Sequence, residues 1–110
     1  MRFENVYWHD GLILGWNIQS CVEKSKTGTV EFAVAIYDGP QAPDRFVVKV
    51  LFEDVEKLSL TCNFPDLADH FFAGHIDWAN KEGARNYRFD LFGDNSFELV
   101  SGKVRIRREC

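Results

Sequence analysis

Hydrophobic and polar residues alternate with a period of two along most of the chain, the pattern of strands with one buried face. Leu12, Leu14, Trp16 and Ile18 fall on one side of a first segment, against Ile13, Gly15, Asn17 and Gln19. In a second, Val30, Phe32, Val34 and Ile36 oppose Glu31, Ala33, Ala35 and Tyr37. In a third, Phe46, Val48, Val50 and Phe52 oppose Arg45, Val47, Lys49 and Leu51. A helix, with its repeat of 3.6, cannot gather these sets on one side. The links at 25–28 and 38–44 hold Gly, Pro and Asp, which favour turns. They are too short for the crossover that parallel neighbours require, so residues 12–52 read as an antiparallel meander.

Beyond Phe52 the charged run Glu53, Asp54, Val55, Glu56, Lys57 reads as a turn, and Leu58, Leu60 and Cys62 as a fourth strand. Residues 65–72 carry the chain's one helical signal. Pro65 suits a first helical position, Asp66 suits the positive end of the dipole, and Leu67 and Phe71 stack one turn apart. Gly74 would end it. Alternation then resumes, with Ile76 and Trp78 opposing His75 and Asp77, and Tyr87, Phe89 and Leu91 opposing Arg88, Asp90 and Phe92. Phe97 and Leu99 form a further short strand, Ser101 and Gly102 read as a tight hairpin, and Val104 and Ile106 point inward opposite Lys103, Arg105 and Arg107. The expected fold is mainly β: an antiparallel meander, sandwich or roll of about seven or eight strands with one short helix. Residues 1–110 are expected to form a single globular domain.

Composition supports a folded core without disulfide or metal staples, since 45% of the 110 residues are hydrophobic and ten are Phe. Charge changes the picture more. The net charge is −4, with 6 basic and 12 acidic residues over 1–80 and 7 and 5 over 81–110. This balance argues against a nucleic-acid partner; the acidic part could suit a basic protein surface, with a solvated exterior as the simpler reading. Cys21, Cys62 and Cys110 are odd in number and widely spaced, which fits free thiols in a reducing compartment. The amino-terminal residues lack the basic start and apolar run of a signal peptide, and no stretch is long enough for a membrane span. A cytoplasmic protein with no membrane partner is expected.

Candidate chemistry is sparse. Asp66, Asp69, His70, His75 and Asp77 offer imidazole and carboxylate donors of the kind divalent metals take, but their spacing matches no recognised metal pattern. A solvated strand face explains them better, and no metal or cofactor is expected. His9 beside Asp10 could orient an imidazole, yet no nucleophile can be paired with them, and Asp10 before Gly11 suits a turn. No GxSxG, Walker, GxGxxG or EF-hand pattern is present, so no catalytic residue is assigned and the chain reads as a non-enzyme. Lys103, Arg105, Arg107 and Arg108, with Arg88, Tyr87 and Phe92, could meet a phosphate-rich strand; protection of a sheet edge by charge is the simpler reading.

Several stretches carry a family resemblance. They are Trp8-His9-Asp10 leading into Leu12-Ile13-Leu14-Gly15-Trp16, and Phe52-Glu53-Asp54-Val55-Glu56-Lys57-Leu58. Tyr87-Arg88-Phe89-Asp90-Leu91-Phe92, Phe97-Glu98-Leu99 and Val104-Arg105-Ile106 add to it. In this layout the chain resembles small β-rich bacterial proteins of uncharacterised function that often serve as immunity proteins in polymorphic toxin systems. The resemblance implies a binding protein and carries over no functional residue. The resulting expectation is a non-enzymatic protein-binding domain, for example an immunity-like inhibitor, presenting Asp38, Asp44, Glu53, Asp54 and Glu56 to a protein partner. The alternative is a small-ligand binder or enzyme whose pocket is lined by Trp8, Trp16, His75 and Trp78. A nucleic-acid-contacting module comes third.

Overall fold

The alternating segments become six strands in a computed structural model that describes residues 1–20, 27–61 and 75–109. They are β1 (Leu12–Ser20), β2 (Gly28–Tyr37), β3 (Arg45–Thr61), β4 (Ile76–Glu82), β5 (Asn86–Leu91) and β6 (Ser96–Arg108). A 3-10 turn over Phe3–Asn5 precedes them. All pairings are antiparallel, in one sheet of order β1-β2-β3-β6-β5-β4. The fold is therefore mainly β, as the alternation requires. The helix expected over 65–72 and all three cysteines lie outside the described residues.

Six strands stand where seven or eight were expected because two of the expected turns are not turns. β3 continues through Glu53 to Lys57, and β6 continues through Ser101 and Gly102. The two strands bend together, with Glu53 opposite Lys103 and Val55 opposite Ser101. Asp54 adopts a left-handed φ of 53°. Gly102 packs so tightly on it that an added Cβ would lie 3.0 Å from the Asp54 Cβ. The buried Ser101 hydroxyl donates to Glu53 O at 2.7 Å and accepts the Lys103 N–H at 3.4 Å. Each strand advances three residues here between inward side chains, from Phe52 to Val55 and from Ser101 to Val104. Residues that resemble a turn locally serve instead as a sheet corner.

The bent sheet curls until its two edges meet. Asp10 N–H donates to Ile76 O at 2.8 Å, Ile76 N–H donates to Gly11 O at 2.7 Å, and Leu12 bridges His75. Gly11 is required at this seam, since a Cβ would come within 3.0 Å of Trp8 O and 3.1 Å of Ile36 Cγ2. Inside lie Phe32, Phe52, Phe89 and Phe97, all fully buried. Phe89 stacks on Phe97 at 4.5 Å and meets Phe32 edge-on at 5.4 Å, geometries that add to simple area burial. Phe3 and Trp8 pack against Phe89, and the Trp8 indole N–H donates to Phe3 O at 3.1 Å.

Bulges correct the expected faces of two strands. A register shift between Ile13 and Gly15 sends Ile13 to the core and leaves Leu14 outside, so Leu12, Leu14, Trp16 and Ile18 do not share one buried side. In β4 a shift between Ile76 and Trp78 leaves Ile76 and Ala79 buried and turns Trp78 out to 59% exposure. Phe46 and Leu91, expected inward, are half-buried against the core.

Candidate binding surfaces

The five carboxylates expected to meet a partner do not form one surface. Asp38 and Asp44 lie exposed on the link between β2 and β3. Glu53, Asp54 and Glu56 sit at the corner instead of a turn, roughly 27 Å along β3 from Arg45 at about 3.3 Å per residue. Glu53 is engaged by Arg105 at 2.7 Å and Glu56 by Arg85 at 2.6 Å. Among the described residues Asp38, Asp44 and Asp54 make no ion pair.

The aromatic set of the pocket reading is likewise divided. Trp8 and Trp78 line one groove of about 300 Å3 with Phe3, Val6, Tyr7 and Ala79. Glu4, Asn80 and Lys81 complete its lining, and Lys81 Nζ lies 3.6 Å from Glu4 Oε1. Neither His75 nor Trp16 belongs to that lining. Trp16 packs on Phe97 at 4.7 Å and Phe32 at 5.1 Å, across the sheet. His75 is buried at the seam, 6.5 Å from the Phe92 ring.

The seam also supplies a contact that sequence spacing hid. His9 Nδ1 lies 2.9 Å from Asp77 O and 3.8 Å from Asp77 Oδ1, while its Nε2 is 3.6 Å from Asp10 Oδ2. The Asp10–Ile76 pairing brings these residues together from opposite halves of the chain. His75 and Asp77 diverge, one buried and the other exposed, because the β4 bulge breaks their alternation. No group of three or more His, Cys, Asp or Glu that could hold a metal occurs among the described residues. Asp66, Asp69 and His70 lie outside them.

Of the basic residues, Arg88 lies apart from the run on β6. Arg88 sits in a polar concavity of about 350 Å3 on the outer sheet face, lined also by Lys57, Ser59, Glu82, Asn86 and Glu98. Its hydrogen bond to Asp90, aided by the charges of Asp90 and Glu98, pushes its pKa further up, so it remains a cation. Arg105 lies on the far side of the corner. Tyr87 is buried against Phe3 and Phe52, so it cannot stack on a base.

The most exposed apolar group was legible as strand but not as surface. Leu14, Ile18 and Leu60 are 53%, 61% and 61% exposed, and Trp16 is 41% exposed. Leu60 is the register partner of Phe97, and Trp16 packs on the same ring, so both border one buried phenyl group. Ile18 pairs with buried Val30 on the neighbouring strand.

Compared with known proteins, the chain matches no family model, no curated protein and no solved structure. None of these comparisons bears on the resemblance to immunity proteins. No helix among the described residues is long and apolar enough to cross a membrane.

Proposed function

We propose that the chain is a protein-binding module without turnover of its own, working in a reducing compartment such as the cytoplasm in the manner of an immunity-like inhibitor. The observation that carries this reading is the exposed apolar rim of Trp16 and Ile18 on the edge strand β1, with Leu60 of β3 bordering the same Phe97 ring as Trp16, beside an interior already filled by its own aromatics. Exposed apolar side chains on and beside an edge strand suit a protein surface that buries them. Asp38 and Asp44, which make no ion pair among the described residues, add charge that would speed encounter with a basic partner.

The test is capture by the parent chain and by a Trp16→Lys, Ile18→Lys variant of matched melting temperature. A partner held by the parent and lost by the variant supports the reading. Capture that is indifferent to the rim, or turnover of a metabolite by the purified chain, overturns it. A small-ligand reading draws on the Trp8 and Trp78 groove, and a melting-temperature rise with a specific metabolite would favour it.

A further inference from the structure

Beyond the corner, β6 has one edge that no strand covers among the described residues. β5 pairs with it as far as Val100, with one more bond from Ser101 N–H to Arg85 O. From Lys103 to Arg108 the described residues pair it with β3 alone. Glu109 N–H donates to Val47 O at 2.9 Å, which sets the phase of this ladder. Antiparallel pairs alternate between bonded and non-bonded positions, so Lys103, Arg105 and Arg107 direct their backbone groups at β3. Val104, Ile106 and Arg108 direct theirs away. The amino-terminal ammonium, 3.5 Å from Ile106 O, agrees with that phase.

The side chains along this edge share a sign. Lys103, Arg105, Arg107 and Arg108 are exposed, and Met1 brings its ammonium with exposed Arg2 beside it. Among the described residues two carboxylates answer these six cationic groups: Glu53 on Arg105 at 2.7 Å, and Glu109 on Arg107 at 3.6 Å. The surplus is local, because the chain as a whole carries −4. On the inner face the neighbours are apolar, Val104 and Ile106.

We propose that this edge accepts an extended acidic segment of another protein as an added strand. Its backbone would pair with Val104, Ile106 and Arg108. Its carboxylates, on alternate residues, would lie beside Lys103, Arg105 and Arg107, and its intervening apolar residues beside Val104 and Ile106. Like charges turn away a second copy of the same edge, while an acidic strand is attracted and its N–H groups meet the outward carbonyls, taking the place of the amino-terminal ammonium at Ile106 O. This surface goes beyond the reading above, which uses the β1 rim, and either can fail without the other.

The probe is an alternating Glu-Val peptide of about eight residues, long enough to span this edge at about 3.3 Å per residue. It is titrated into the isotope-labelled full chain and followed by amide NMR and hydrogen exchange. The expected result is slowed exchange at Val104, Ile106 and Arg108, with affinity falling as salt rises. Lys103→Gln with Arg107→Gln should weaken binding about tenfold with the remaining amide spectrum intact. A Lys-Val peptide, and a Glu-Val peptide N-methylated on the edge-facing residues, should not bind. Equal binding of the methylated peptide, unchanged exchange at the three amides, or an oligonucleotide binding where the peptide does not would each overturn the proposal.

Discussion

Phe89 shows how one side chain can hold several strands at once. It touches Phe3, Trp8, Phe32, Phe52 and Phe97, which come from the amino-terminal segment and from β2, β3 and β6. Its removal would leave a cavity that none of these rings can fill without moving. Phe89→Ala should therefore destabilise by about 3–5 kcal/mol, read from denaturant unfolding. Phe46, half-buried beneath the Arg108 guanidinium at 4.1 Å, should lose clearly less on the same change. Equal losses at the two positions would place the centre of the core wrongly. Gly11 makes the opposite test, since Gly11→Val adds atoms where the Trp8 carbonyl and Ile36 already stand. Overpacking of roughly 1–3 kcal/mol is expected, with the seam amide of Ile76 the first to lose exchange protection.

At the scale of elements, the corner shared by β3 and β6 decides the architecture. Ser101 is small enough to be buried there and polar enough to join Glu53 to Lys103. Ser101→Ala leaves the buried end of that carbonyl without its donor and should destabilise by about 1–3 kcal/mol. Ser101→Thr, which keeps the hydroxyl, should recover part of the loss; failure to recover any would assign the effect to space instead of hydrogen bonding. The corner also explains why the alternation read correctly while its interruptions did not. Asp54, Ser101 and Gly102 are residues that turns favour, and local chemistry cannot tell a chain reversal from a bend within a paired strand. The difference lies in the partner: Glu53 finds Lys103 at the matching place on another strand, and both ladders continue.

For the whole molecule, the pairings that matter are distant in sequence. Val48 meets Arg108 and Leu12 meets His75, so the central ladder and the seam each close long loops. Folding should accordingly be slow for a chain of this size, in the millisecond-to-second range by stopped-flow fluorescence of its tryptophans. Microsecond folding would argue that the seam and the β3–β6 ladder are not formed in the rate-limiting step. Surface function follows the same geometry. The carboxylates expected on one acidic surface are parted along β3, and those with no ion pair among the described residues are Asp38, Asp44 and Asp54. Asp38→Lys with Asp44→Lys should slow association with a basic partner and weaken its salt dependence, at a nearly unchanged melting temperature.

Strand identity, antiparallel order in the first meander and the inward faces of β2 and much of β3 were legible from alternation alone. The side-chain period of two is a local property of extended backbone, and Val30, Phe32, Val34 and Ile36 obey it without help. What only the tertiary structure decided are the places where that period slips: the bulges beside Leu14 and Asp77, and the shared corner at Asp54 and Gly102. Each slip is set by which strand lies opposite, and hence by contacts tens of residues away. The exposure of Leu14 and Trp78, the meeting of His9 with Asp77 and the edge left uncovered among the described residues at Val104, Ile106 and Arg108 all follow from those slips and closures. Pairing across the sheet, which no window of sequence contains, placed them.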